Sequence, residues 1–220
     1  MDSFLVRLTL FLLTVLLAAC GSGGSSLPTD IVFQDQFVPG ESGEWLLEGD
    51  DVGRTAVIDQ QLVISVNQPN TMQYAALAEP LFTNFSLEVE ARQIAGNPES
   101  SYGLLVRLLE SGQFYRFDIT SSGQYMVERY NADGAWSQYL DDWTASPAIN
   151  QGLNTVNRLK VIANGPALSF YVNDTLLHET FDNSAAPGAI ALDAGSFGYG
   201  GLQVAFDNVV VRELPGANGE

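Results

Sequence analysis

From residue 30 to 214, short runs rich in Val, Ile, Leu, Phe and Tyr recur between turn signals, and no stretch carries the apolar period of an amphipathic helix of credible length. This pattern restricts the chain to an all-β fold. Phe85, Leu87, Val89 and Ala91 alternate with Ser86, Glu88, Glu90 and Arg92, the period of a strand with one buried face. Three hairpins then follow one another. Leu104, Val106 and Leu108 pair across Glu110-Ser111-Gly112-Gln113 with Tyr115, Phe117 and Ile119, so that all six share one core face. Ser121-Ser122-Gly123 and Asn131-Ala132-Asp133-Gly134 supply the next reversals. Asn164-Gly165-Pro166 joins 158–163 to 168–172, Asn173-Asp174 leads into 176–181, and 189–192 and 202–212 complete the series. About a dozen strands favour two packed antiparallel sheets over one open sheet.

The N-terminus is a processing signal. Arg7 precedes an apolar run, 8–17, that is too short to span a bilayer. It closes on Leu17-Ala18-Ala19-Cys20, which resembles the bacterial lipobox and implies that Cys20 receives a diacylglycerol. Cys20 is the one cysteine in the chain, so a disulfide is excluded and the fold must rest on its core. The Gly/Ser run 21–26 reads as a flexible tether. The expected organisation is a signal peptide (1–19), a lipidated cysteine and tether (20–29), a β-sandwich (30–214) and a short tail (215–220). The expected location is extracytoplasmic, on a bacterial membrane.

Nine basic residues stand against 26 acidic ones, for a formal charge of −17, and Lys160 is the only lysine. A phosphate-binding footprint is missing, so nucleic acid is not an expected partner.

The stretch Asn157-Arg158-Leu159-Lys160-Val161, the turn Asn164-Gly165, the strand 168–174 and the close Phe206-Asp207-Asn208-Val209-Val210-Val211 together resemble the C-terminal half of concanavalin A-like jelly rolls. Tyr102-Gly103-Leu104 and the opening Phe33-Gln34-Asp35-Gln36-Phe37 extend the likeness over most of the mature chain. That superfamily holds laminarinase-like glycosidases, laminin-G-like modules, lectins and domains acting on 3-keto-sugars, so the resemblance implies a carbohydrate ligand most often. It also implies a structural Ca²⁺ joining the first and last strands, with Asp35 and Asp207 as the matching acids.

The enzymatic version of the resemblance needs three acids spaced E-x-D-x-x-E on one strand to cleave a glycosidic bond. The nearest approach is Glu88-Val89-Glu90-Ala91-Arg92-Gln93, where the third acid is replaced by Gln93 and Arg92 stands beside the pair. A solvated strand face is the better reading of Glu88 and Glu90. His178 is the single histidine, which leaves a Ser-His-Asp triad or a His-rich metal site without support.

The informative face lies opposite the hairpin core. Register places Arg107, Arg116, Asp118, Glu128 and Tyr130 there, with Arg116 facing Glu128, and Ser137 and Tyr139 on the next strand; Trp136 and Trp143 are further ring candidates. Carboxylates, guanidinium groups and rings together suit a sugar, whose hydroxyls need donors and acceptors while its apolar face stacks on rings. The expected function is a membrane-anchored carbohydrate-binding or adhesion sandwich with a glycan or cell-envelope partner. A 3-keto-glycoside hydrolase or lyase and a structural envelope lipoprotein are the alternatives.

Overall fold

The computed structural model describes residues 30–183 and 186–215; the leader, Cys20 and the tether expected from the sequence lie outside them. Among the described residues sixteen strands form two eight-stranded antiparallel sheets. One sheet runs in the order β14 (Thr175–Phe181), β13 (Ala167–Val172), β12 (Asn157–Asn164), β6 (Phe85–Ala95), β16 (Leu202–Glu213), β4 (Gln61–Val66) and β3 (Gly53–Ile58), and β1 (Ile31–Asp35) pairs with the C-terminal half of β16. The other runs β10 (Trp136–Gln138), β9 (Gln124–Tyr130), β8 (Phe114–Thr120), β7 (Ser101–Leu108), β15 (Gly188–Gly195), β5 (Met72–Phe82) and β2 (Trp45–Leu46), with β11 (Thr144–Ala145) beside β9. We call them the first and second sheets.

Alternation decides what lies between them. Leu62, Ile64, Leu87, Val89, Val161, Phe170 and Phe206 of the first sheet meet Leu77, Tyr102, Leu104, Val106, Phe117, Ile119 and Leu192 of the second in one buried cluster. Side chains one position on therefore point outward. The turns carry the backbone the sequence led one to expect: Gly112, Gly123, Gly134 and Gly165 have positive φ, and so do Asn173 and Asp174.

Register departs from simple alternation at Arg107. Its φ is +52°, and the β15 register shifts opposite it. The bulge turns Arg107 back toward the first sheet, where its Nη2 donates to the carbonyl of Gly165. It also sends Leu108 outward, against Ala76, Leu105, Phe114 and Ala191. Both expectations are thereby corrected: Arg107 leaves the polar outer face, and Leu108 leaves the main core.

The N-terminal strand is held by one buried carboxylate. Asp35 Oδ1 accepts from the Phe37 amide (2.6 Å) and Ser42 Oγ (3.0 Å), and Oδ2 accepts from the Gly43 amide and Trp45 Nε1, both at 2.8 Å. Four donors use the four lone-pair sites of a carboxylate. Asp35→Ala should cost on the order of 3–5 kcal/mol in denaturant unfolding, because buried donors lose a charged acceptor. The loss should be the same with and without a calcium chelator.

Candidate functional site

Arg116 is the hub of the second sheet's outer face. It lies on β8 between Leu105 of β7 and Glu128 of β9. Its Nε donates to Asp193 Oδ2 at 2.9 Å, Nη1 to Glu128 Oε1 at 3.1 Å, and Nη2 to Ser101 Oγ at 3.1 Å, while Nη2 also lies 2.5 Å from Asp118 Oδ2. Three strands thus converge on one guanidinium. Asp118 and Asp193 are buried, and Glu128 is the carboxylate that keeps an open edge.

Two glycines make room for this cluster. A Cβ on Gly103 would sit 1.9 Å from the carbonyl oxygen of Phe117 and 2.4 Å from Asp118 Oδ1, and one on Gly195 would sit 2.8 Å from Arg116 Nη2. The charged groups occupy the space those side chains would have filled.

One cation cannot balance three anions in a buried setting. Burial pushes the Asp118 carboxyl well above the usual carboxylate range; Arg116 pulls it down, and Asp193 adds to the rise. Neither Asp118 oxygen accepts a well-formed hydrogen bond, and Asp193 Oδ1 has none either. Burial works against the charge of Arg116, but Asp118, Asp193 and Glu128 outweigh it and hold the guanidinium above its ordinary value. Asp118 is therefore held toward its protonated form.

The open side of the cluster forms the floor of a groove of about 500 Å³ in which Arg116 and Glu128 lie beside Trp136, Gln138, Met72 and Phe197. Trp136 is 44% exposed and Phe197 42%. Phe114 and Tyr130 stack at 5.4 Å behind Trp136, whose ring lies 5.0 Å from that of Tyr130. On the other wall Trp143 meets Phe197 edge-on at 5.9 Å. A fixed cation, a partly buried carboxylate and a side-chain amide thus lie between exposed rings.

The model of a 3-keto-alpha-glucoside-1,2-lyase-like domain matches residues 36–212. The chain belongs to that family. No curated protein matches it. Among solved structures, carbohydrate-binding module CBM66 from Bacillus subtilis aligns at TM-score 0.61 and 16% identity, covering 78% of this chain and 96% of that one. The catalytic domain of an endo-1,3-beta-glucanase (laminarinase) from Thermotoga petrophila RKU-1 aligns at 0.61 and 11%, covering 86% and 99%. Bacillus licheniformis beta-glucanase aligns at 0.60 and 12%, covering 84% and 100%. At these identities the likeness establishes the fold: a glucanase-like, concanavalin A-like jelly roll.

Of the residues singled out from sequence, this 3-keto-alpha-glucoside-1,2-lyase-like domain brings together Arg116, Asp118, Glu128 and Trp136, with Tyr130 supporting the tryptophan. Three others lie elsewhere. Arg107 borders a separate cavity of about 90 Å³ with Arg129 and Asp182. Ser137 accepts from Asn131 Nδ2. Tyr139 stacks on the core-facing Tyr115 at 6.1 Å and packs against the main core. Glu88 and Glu90 are on the outer face of the first sheet, where Glu88 pairs with Lys160 at 2.8 Å and Glu90 accepts from Asn208.

Asp35 does not fit a calcium site. The lone pairs of Asp35 are taken by its four donors, and Asp207 Oδ1 accepts the Asn208 amide at 2.7 Å. Calcium needs six to eight oxygens with lone pairs to give. Among the described residues no group of three His, Cys, Asp or Glu is placed to hold a metal ion.

Sequence reading missed Asp193, Ser101, Gln138 and Phe197. The expected strand stopped at Leu192, one residue short of Asp193, whose signal was a lone acid in the apolar and small run Ala191-Leu192-Asp193-Ala194-Gly195.

A raised carboxyl stabilises the fold below its unfolded pKa, and that contribution is lost as pH climbs through the folded value. Asp118→Asn should therefore be more stable than the parent at pH 8, with the gain shrinking toward pH 4. Thermal melts across pH 4–9 will show whether the two curves converge on the acid side.

Proposed function

We propose that this chain is a membrane-tethered, extracytoplasmic protein that binds a carbohydrate in the groove over Arg116. The observation that carries the reading is that Arg116 is held from below by Asp118 and Asp193, leaving it and Glu128 beside Trp136 and Phe197. Immobile donors and acceptors between rings recognise an array of hydroxyls at little ordering cost. The family match and the fold shared with a carbohydrate-binding module support the same ligand class.

The test is calorimetric titration of the soluble domain against the oligosaccharide that a glycan array selects. Trp136→Ala and Gln138→Ala, both at exposed positions, should each weaken binding about tenfold, roughly 1.4 kcal/mol, with the melting curve of Gln138→Ala unchanged. Unchanged affinity in both would remove the groove from the account.

The tether rests on the sequence of 1–20. Cys20→Ala should leave the protein in the aqueous phase of a detergent partition, because no second thiol is present to accept the lipid. Fatty-acid labelling of that variant would sink the lipoprotein reading.

A second reading is favoured by the family and by the pairing of Glu128, the carboxylate of the cluster with an open edge, with one cation. In a 3-keto-glucoside the C2 proton is acidic because it lies next to the ketone. Glu128 removes that proton, Arg116 stabilises the negative charge that develops on the C3 oxygen, and the C1–O bond breaks to release the aglycone alcohol once it takes up a proton from solvent. Hydrolysis by two carboxylates flanking the bond has less support, since Asp118 and Asp193 are buried beneath Arg116. Incubation with 3-keto and unmodified glucosides separates the readings. Elimination requires turnover of the oxidised substrate alone and its loss in Glu128→Gln with binding retained.

A further inference from the structure

A second hollow, of about 750 Å³, lies on the same outer face as the Arg116 groove, at the β2 side. Its floor dips because β5 and β15 present small residues there, Ala76, Ala78 and Ala189. Its walls are Leu46, Tyr74, Leu81 and Leu108, of which the first three are 55%, 42% and 50% exposed. These are large apolar groups open to solvent at the edge of a site built for a polar ligand.

Register ties the two hollows together. On β15, Ala189, Ala191, Asp193 and Gly195 follow one another along the outer face: Ala189 lines the apolar hollow, Asp193 holds Arg116, and Gly195 lines the groove. At strand rise, Ala189 and Asp193 are about 13 Å apart, the span of a hexose with a ring or short chain attached. Between the hollows lies a small apolar cluster of Ala76, Leu105, Phe114 and Ala191, with Met72 and Leu108 packed on it. Ala76 and Leu108 line one hollow and Met72 the other. Leu105 and Ala191 are fully buried, so the surface a ligand meets in crossing is that of the partly buried Met72 and Leu108 packed over them.

The geometry points to this hollow as the seat of the aglycone. Given the carbohydrate reading above, on which this inference rests, the ligands are glycosides of apolar alcohols or phenols, with the sugar at Arg116 and the aglycone between Leu46, Tyr74 and Leu81. An all-sugar chain would place hydroxyls against Leu46, Leu81, Leu108 and the alanine floor, which offer them no partner; the polar groups of the lining are Tyr74, Ser111 and the glutamates. Glu48, Glu79 and Glu110 line the same hollow, so the apolar group it accepts is uncharged or cationic.

The experiment compares methyl α-glucoside with phenyl α-glucoside, each unmodified and as its 3-keto form, by calorimetry on the soluble domain. The phenyl glycoside should bind at least about tenfold tighter. Leu46→Glu and Leu81→Glu, at positions half exposed and tolerant of charge, should erase that advantage and leave methyl glucoside affinity unchanged. Equal affinity of the two glucosides, or an advantage that survives both substitutions, overturns the aglycone seat while the sugar groove stands. Binding of phenol alone at a Leu46-sensitive site, with no glucoside bound more tightly than phenol, overturns the sugar groove instead and the aglycone assignment with it. Sedimentation velocity across a concentration series should find a monomer. A dimer abolished by Leu46→Glu would make a second copy the occupant and overturn the proposal.

Discussion

Two sheets that each bury one face leave the chain no freedom about where its charges go, and the Arg116 cluster follows from that constraint. Tyr115 and Phe117 are fixed inward by the core, so Arg116 must face out, where the ladder sets it level with Glu128 and beside β7. The ion cluster costs desolvation that a purely apolar patch would not. What it gains is position: a guanidinium with donors committed to β7, β9 and β15 cannot change rotamer when a ligand arrives. Arg116 is consequently a structural residue as well as a recognition residue. Removing it leaves Asp193 buried without the cation it faces, at a cost typical of an uncompensated internal charge, about 3–5 kcal/mol. Its mutants report on folding before they report on binding.

The face is graded along the strands. At one end stand rings and charges around Arg116, and at the other an apolar trough lined by leucines and bounded by glutamates. Both ends use the same device, small residues at outward positions of β5, β7 and β15, to make depth on a surface that a sheet would otherwise keep level. Charge fills the vacancy at Gly103 and Gly195, whereas at Ala76 and Ala189 the vacancy stays open.

Much of this was legible in the sequence because it is local. Strand alternation and turn chemistry located the hairpins from β7 to β9 and from β12 to β14, and register alone paired Arg116 with Glu128. The remainder depends on contacts between distant segments or on backbone that an ordinary residue rarely adopts. Asp193 is 77 residues from Arg116 in the chain, and only the insertion of β15 beside β7 makes them neighbours. Nothing in the letter Arg announces the left-handed conformation of Arg107, yet that single bulge decides which face Arg107 and Leu108 occupy. The Asp35 knot was read as a cation ligand because the acid was visible and its four donors were not. They come from a loop and a strand whose approach the fold alone arranges.

Gly103 and Gly195 carry a further implication. Both lie within strands and neither has a positive φ, unlike Gly112 and Gly134 in the turns. The turn glycines answer to a conformational demand, which Asn or Asp also meets at modest cost. Those in the strands answer to an excluded volume, which no other amino acid satisfies, since even a methyl group overlaps fixed backbone or the guanidinium. Across related chains the two kinds should therefore diverge. Turn glycines drift among a few polar substitutes, while Gly103 persists with the β8 backbone it meets and Gly195 persists wherever the guanidinium persists, so that Gly195 marks in sequence a site that no linear motif spells out.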